Sequence, residues 1–163
     1  MLNNLQWVIG ETSGMISKWA LATAALAVAA AASTVWAQSD PIAARMALMK
    51  GNNDNFRNIS QMLKGQQPFD AAKVDAAFAQ WAETAQKLPG LFPPDSKTGE
   101  KTRAAPAIWD HKQDFDAKAA AFAKVVAENR DKAKASLDGL KAAAKPVGDA
   151  CDNCHKDYRL SRR

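Results

Sequence analysis

The sequence predicts an all-α protein, an antiparallel up-down-up-down four-helix bundle, and two observations support this fold class. Apolar residues recur at spacings of three and four in four separate segments, which places each set on one face of a helix. No segment alternates between apolar and polar residues with the period of two that is typical of a strand. Four such helices with short connections bury their apolar faces by packing against one another.

The first two helices have clear start and stop signals. The first is predicted over 40–64, because Asp40 can cap it, Pro41 suits the first helical position and Gly65 follows it. The second is predicted over 70–88, where a Pro-Gly pair ends the pattern. The apolar positions are Ile42, Met46, Met49, Phe56 and Leu63 in the first helix, and Val74, Phe78, Trp81, Ala85 and Leu88 in the second.

The third and fourth helices are less sharply divided. The third is predicted from near Pro106 to about Lys132 and the fourth over 136–160, although no strong helix breaker separates them. Pro146 is expected to bend or locally disturb the fourth helix. The apolar positions are Ile108, Phe115, Ala119, Phe122 and Val126 in the third helix, and Leu137, Leu140, Ala144, Val147, Cys151, Cys154 and Tyr158 in the fourth.

Residues 1–37 have the features of a signal peptide that is cleaved after Ala37. Lys18 precedes an apolar, alanine-rich run that is too short for a good membrane span, and small residues precede the cleavage point. Met15 is a better start of such a peptide than Met1. We therefore expect an exported, periplasmic protein whose mature domain, residues 38–163, has no membrane span; a retained N-terminal anchor is the alternative.

Composition restricts the function of the mature domain. The net charge is +5, and it remains +5 without the leader, which carries one Lys and one Glu. Basic and acidic residues are interspersed without aromatic interleaving, which argues against nucleic-acid binding. The basic surplus suits an acidic partner protein, and equally mere solubility. No serine-based or paired-carboxylate pattern suggests an enzyme.

The residues most informative about function are 151–155, which read Cys-Asp-Asn-Cys-His and contain the only two cysteines of the chain. Two thiols three positions apart, followed by an imidazole, are typical of covalent attachment of haem c. In that chemistry the thiols add to porphyrin vinyl groups and the histidine binds the iron. A redox dithiol, a disulfide and a zinc site are the alternatives. For zinc there is no second cysteine pair, and His111 is the only other histidine.

The helical phase favours haem. Both cysteines lie on the core-facing line of the fourth helix. A porphyrin attached there would lie inside the bundle or against its inner wall. Burying such an apolar ring is favourable by about 25 cal/mol per Å².

The chain resembles the class II c-type cytochromes, the cytochrome c-prime family with its low-spin relatives. The motif near the C-terminus, followed by Tyr158-Arg159, carries the resemblance together with the signal peptide and the four-helix pattern. Further matches are residues 64–66, 68–71 and 106–109 and the Val-Gly pair before the motif. The resemblance implies one covalent haem c, redox partner proteins and a possible homodimer through the first two helices.

The resemblance also implies roles for individual residues. Cys151 and Cys154 would form the thioether bonds, and His155 would be the proximal iron ligand. Met49 would stand at the sixth position, as a second ligand or as a side chain that blocks it. On its own, a methionine on an apolar face is more often a core residue.

Three further residues are implied near the haem. Arg45 and Arg159 would lie near its edge and its propionates, where guanidinium groups pair well with carboxylates. Met46, beside Arg45, would touch the macrocycle. The alternatives are that Arg45 belongs to a solvated face and that Arg159 only favours the helix dipole. His111 is expected at the surface with no role.

Two functions follow from these expectations. The first is electron transfer, which is the broader role of the family and requires two stable axial ligands. The second is binding of nitric oxide or carbon monoxide at a five-coordinate iron, with Met49 as a distal occluder. Sequence leaves both open, because they differ only in how closely the first helix approaches the iron.

Overall fold

The structure is a computed structural model that describes residues 40–99 and 102–161. The predicted signal peptide, the cleavage site at Ala37 and the alternative start at Met15 lie outside the described residues. The helices are α1 (Pro41–Leu63), α2 (Ala71–Lys87), α3 (Ala107–Asp110), α4 (Lys112–Ala135) and α5 (Leu137–Tyr158), with two short 3-10 helices, Leu88–Leu91 and Pro94–Ser96, after α2.

The four long helices form the predicted four-helix bundle. They pack as neighbours in chain order, and α5 also closes against α1. Arg130, late in α4, makes a bidentate ion pair with Asp75, early in α2, at 2.8 and 2.9 Å. Lys118, early in α4, pairs with Asp157 at the end of α5. These contacts join opposite ends of neighbouring helices, so the neighbours run antiparallel.

The predicted helix signals act as expected. Asp40 caps α1 by accepting a hydrogen bond from the N–H of Ile42 at 2.8 Å. Asp70 caps α2 by accepting from the N–H of Lys73 at 3.0 Å. Gly65 has a φ of 69°, the left-handed conformation that glycine adopts most easily after a helix. These local signals explain why the predicted bounds of α1 and α2 are confirmed to within about one residue.

The predicted third helix is wrong in one respect, since it is interrupted at His111. His111 has φ −125° and ψ 45°, outside the helical region, and separates α3 from α4. The break lets α3 follow the connection from α2, where the indole N–H of Trp109 donates to the carbonyl of Pro93 at 3.1 Å. Ile108, also in α3, is buried. As expected, His111 is exposed.

α5, the predicted fourth helix, is continuous through Pro146. Proline has no N–H to donate, so the helix loses one backbone hydrogen bond there without ending. Bending at this residue stays a prediction. Among the described residues, no helix is both long and apolar enough to cross a membrane.

Two groups of buried residues hold the bundle together. The main core fills its middle with residues from α1, α2, α4 and α5, among them Ile59, Met62, Phe78, Val126 and Leu140. The second group lies at the end of the bundle where α1 begins and α5 ends. We call it the aromatic cluster, and it consists of Leu88, Phe92, Ile108, Phe115 and Tyr158.

The turn between α4 and α5 is only one residue long. Ser136 separates the helices and caps α5, its hydroxyl accepting from the N–H of Gly139 at 3.0 Å. The turn brings the backbone of α4 so close that a Cβ on Gly139 would lie 2.0 Å from the carbonyl oxygen of Lys132. Glycine is therefore required at this position for a steric reason.

We expect Gly139→Ala to lower the free energy of unfolding by about 3 kcal/mol, because a backbone atom cannot move aside cheaply. Gly51→Ala in α1 is the matched control. Its Cβ would come no closer than 3.5 Å to the side chain of Gln80, so better helix propensity should stabilise the protein by up to about 1 kcal/mol. Urea unfolding followed by far-ultraviolet circular dichroism measures both. Equal effects of the two changes would contradict the steric argument.

Candidate haem attachment site

The three residues of the predicted attachment motif lie together in the last two turns of α5. Cys151, Cys154 and His155 are all partly buried, and both thiols are free. Cys154 packs against the aromatic cluster. The spacing of three places the two cysteines on the same face of α5, as the helical phase predicts.

The electrostatics of the motif keep its groups neutral. Burial raises the pKa of Cys151 to about 11, with a further contribution from Asp152, and burial also raises the pKa of Cys154. A redox dithiol has the opposite property, a lowered thiol pKa. Burial, and then the charge of Arg159, lower the pKa of His155. A neutral imidazole is the form that can bind a metal.

Met49 and the attachment turn both contact the aromatic cluster. Met49 is partly buried in α1 and packs against the aromatic cluster, as Cys154 does from α5. The fold thus brings together two residues that are about a hundred positions apart in the sequence. Met46, one turn earlier, is 38% exposed and is not among the residues packed against this cluster.

Arg45 is buried, with only 4% of its surface exposed, so the expectation that it belongs to a solvated face is wrong. One terminal nitrogen donates to the carbonyl of Leu91 and the hydroxyl of Ser96, both at 2.9 Å. The other donates to the carbonyl of Ser96 at 2.8 Å and the hydroxyl of Thr102 at 3.0 Å. Burial lowers the pKa of this guanidinium, and the charge of Asp40 raises it.

These partners of Arg45 could not be predicted from the sequence, because they belong to a connection without periodicity. Proximity of Arg45 to a haem propionate stays a prediction. Arg159, by contrast, is exposed, and its N–H donates to the carbonyl of His155 at 3.2 Å. A β-bridge joins Arg159 to Ala104, which fixes the chain just after the motif.

A network around Tyr158 was also missed by sequence reasoning. The Tyr158 hydroxyl is close to Asp114 of α4 and donates to its carboxylate at 2.5 Å, which raises the pKa of the phenol to about 12. Lys118 pairs with Asp157 and lies 5.4 Å from the centre of the Tyr158 ring. The core-facing position of Tyr158 was predicted, but its partner on another helix was not. The network fixes the last turn of α5 one turn beyond Cys154.

An apolar cavity lies beside the motif. It has a volume of about 220 Å³, is lined by side chains of α1, α2 and α5, and extends to Asp152, next to Cys151. Phe56, which is 53% exposed, and Trp81 contribute aromatic surface to its wall. Space of this kind between α1 and α5 suits part of a flat apolar ring.

These residues fit a covalently attached haem. Two free neutral thiols and a neutral imidazole lie close together on α5 beside apolar space, and Cys154 contacts the cluster that Met49 also contacts. In the described part of the chain, no three His, Cys, Asp or Glu side chains converge so as to hold a metal ion. The zinc alternative therefore has no geometric support.

Comparisons with known proteins agree with this fit. The family model described as Cytochrome C' matches residues 40–159. Cytochrome c-556 of Rhodopseudomonas palustris is 44% identical over 133 residues, which cover 78% of this chain and 88% of that protein. Cytochrome c' of the same organism is 43% identical over 129 residues, covering 77% and 86%.

The fold agrees as well. A solved structure of cytochrome c' from Rhodopseudomonas palustris superposes with a TM-score of 0.72 at 39% identity, covering 77% of this chain and all of that one. Family, relatives and fold thus coincide over the whole region in which the motif, the cavity and Met49 lie. The chain belongs to the cytochrome c' family of class II c-type cytochromes, haem proteins whose haem c is attached covalently.

Proposed function

We propose that the protein is a periplasmic electron carrier in which Cys151 and Cys154 would hold haem c covalently, and His155 and Met49 would bind its iron. The observation that carries the proposal is the shared contact of Met49 and Cys154 with the aromatic cluster. It supports an approach of the Met49 thioether of α1 to the attachment turn. When bound, haem c supplies an iron that exchanges a single electron.

The residues of the chain support this role in three ways. Burial keeps the His155 imidazole neutral and able to bind iron. A thioether ligand at Met49 would raise the reduction potential relative to a more electron-donating ligand. The hydrogen bond between Tyr158 and Asp114 holds the end of α5 on α4, so that the attachment turn would move little when the charge of the iron changes.

Gas binding is the second candidate, and one observation favours it. α1 packs less extensively against α5 than α4 does. A helix so placed can hold its methionine away from the iron, where Met49 would block large ligands and admit nitric oxide or carbon monoxide. The relatives include both a cytochrome c-556 and a cytochrome c', so their names do not separate the two roles.

Neither role needs a residue that transforms a substrate, and we propose no enzymatic activity. An acidic redox partner would suit the net charge of +5. A homodimer through α1 and α2 stays a prediction.

Met49→Ala should convert a low-spin ferric absorption spectrum into a high-spin one, because the sixth ligand is removed. Lys50→Ala is the control in the same helix, and its exposed side chain, which pairs with Asp54, predicts an unchanged spectrum. Visible spectra of the purified ferric and ferrous proteins provide the measurement. A wild-type protein that is already high-spin and binds carbon monoxide readily would favour gas binding instead.

Replacing both thiols, Cys151→Ala with Cys154→Ala, should abolish covalent attachment of haem, since no other cysteine is present. Denaturing electrophoresis with haem staining, together with intact mass, detects the bond. Each single variant, Cys151→Ala or Cys154→Ala, keeps one thiol and should either form one thioether bond or give less haem-loaded protein. Haem that stays covalently bound to the double variant would contradict the assignment of these thiols.

Export should leave a mature protein that begins at Gln38. Intact-mass measurement of protein from the periplasmic fraction of a host that attaches haem c tests this expectation. A chain that keeps residues 19–32 and is found with the membrane would support the retained anchor.

A further inference from the structure

We propose that Arg45 is a positioning residue that sets how closely Met49 approaches the attachment turn, and that it acts through the connection between α2 and α3. The part of the connection concerned is residues 91–99 together with Thr102, which we call the clamp segment. The proposal rests on the function proposed above, because it concerns the distal side of the same site.

The contacts of Arg45 are those of a clamp. A guanidinium has five N–H donors in a rigid plane. Four of them are directed at the clamp segment, to two carbonyl oxygens and two hydroxyls at 2.8–3.0 Å. Ser96 receives two of these bonds and is itself 2% exposed. A lysine, with one ammonium group and no planar fork, cannot reproduce this set.

The clamp reaches Met49 through α1. Arg45 and Met49 are four residues apart in α1 and therefore share one face of the helix. Holding Arg45 on the clamp segment fixes this turn of α1 in both depth and rotation. α1 packs against α2 and the 3-10 helix Leu88–Leu91 more than against α5, and the bonds of Arg45 add to these constraints on the position of Met49.

The clamp reaches α5 through aromatic rings. The guanidinium carbon of Arg45 lies 4.6 Å from the ring centre of Phe92 in the clamp segment. Phe92 makes an edge contact with Phe115 at 4.9 Å, and Phe115 makes one with Tyr158 at 5.2 Å. Tyr158 is four residues beyond Cys154. A continuous series of contacts thus links the turn that carries Met49 to the turn that carries the thiols.

A direct role is the alternative, in which Arg45 pairs with a haem propionate. The two explanations differ in what the clamp segment does. If Arg45 acts through the segment, removing the hydroxyl acceptors of Ser96 and Thr102, which take two of its four bonds, reproduces the effect of changing Arg45. If it acts on a propionate, those changes leave the site as it was.

The test compares Arg45→Lys with the double variant Ser96→Ala, Thr102→Val in the haem-loaded protein, and uses Arg57→Lys, an exposed arginine of α1, as control. The first readout is the association rate of carbon monoxide with the ferrous protein. We expect both clamp variants to bind carbon monoxide about tenfold faster, the factor for one lost charge-assisted hydrogen bond. The control should match the wild type.

The second readout is hydrogen exchange of the backbone amide at position 96, which donates to the carbonyl of Pro93 in the wild type and which the Ser96→Ala change retains. We expect faster exchange in both clamp variants and unchanged exchange in the control. Amide exchange does not depend on the iron. It also checks that the variants remain folded elsewhere, because amides of the main core should stay protected.

Two results would overturn the proposal. One is a change in Arg45→Lys without a change in the double variant, which would indicate direct action on the haem. The other is no change in either variant. A high-spin wild type would instead refute Met49 ligation, and the carbon monoxide rates would still decide the positioning role, because Met49 obstructs the distal side whether or not it binds iron.

Discussion

The packing of the aromatic cluster is the interaction on which the candidate site depends. Met49 approaches it from α1, Cys154 from α5, and the connection after α2 contributes Phe92. Hydrogen bonds of Arg45 join α1 to this connection, and the N–H of Ala105 joins the connection to the carbonyl of Tyr158 in α5. α1 and α5 have few direct contacts with each other, so the cluster between them helps to set their spacing. Its rings meet edge to face, an arrangement that aromatic pairs favour and that resists sliding.

The bundle is not packed equally well throughout. The main core is closely packed, with Val74, Val126 and Ala143 completely buried, and it supplies stability. Packing is less complete beside the attachment turn, where the thiols are only partly buried, Phe56 is exposed, and an apolar cavity lined by main-core residues such as Ile59 and Leu140 reaches Asp152. Incomplete packing is the condition for receiving a large flat group, and the family membership explains why the chain retains it.

Burial also sets the charge state of the site. The thiols and the imidazole of the attachment motif are neutral because burial leaves their charged forms poorly solvated. Arg45 is the exception, a buried cation whose charge is stabilised by four hydrogen bonds and by the faces of Phe92 and Trp109. A cation held at that cost in desolvation, one turn before Met49 in the same helix, indicates a defined position for α1.

The sequence by itself determined the four-helix bundle, the ends of α1 and α2, the face of α5 that carries both cysteines, and the attachment motif. All of these depend on caps, glycines and periodicity, which act within a few residues. Only the tertiary structure decided the break at His111, the partners of Arg45 and the bond between Tyr158 and Asp114. The contacts concerned join residues from 16 positions apart, for Trp109 and Pro93, to 57 positions apart, for Arg45 and Thr102. No local pattern encodes which distant groups will meet when the helices pack.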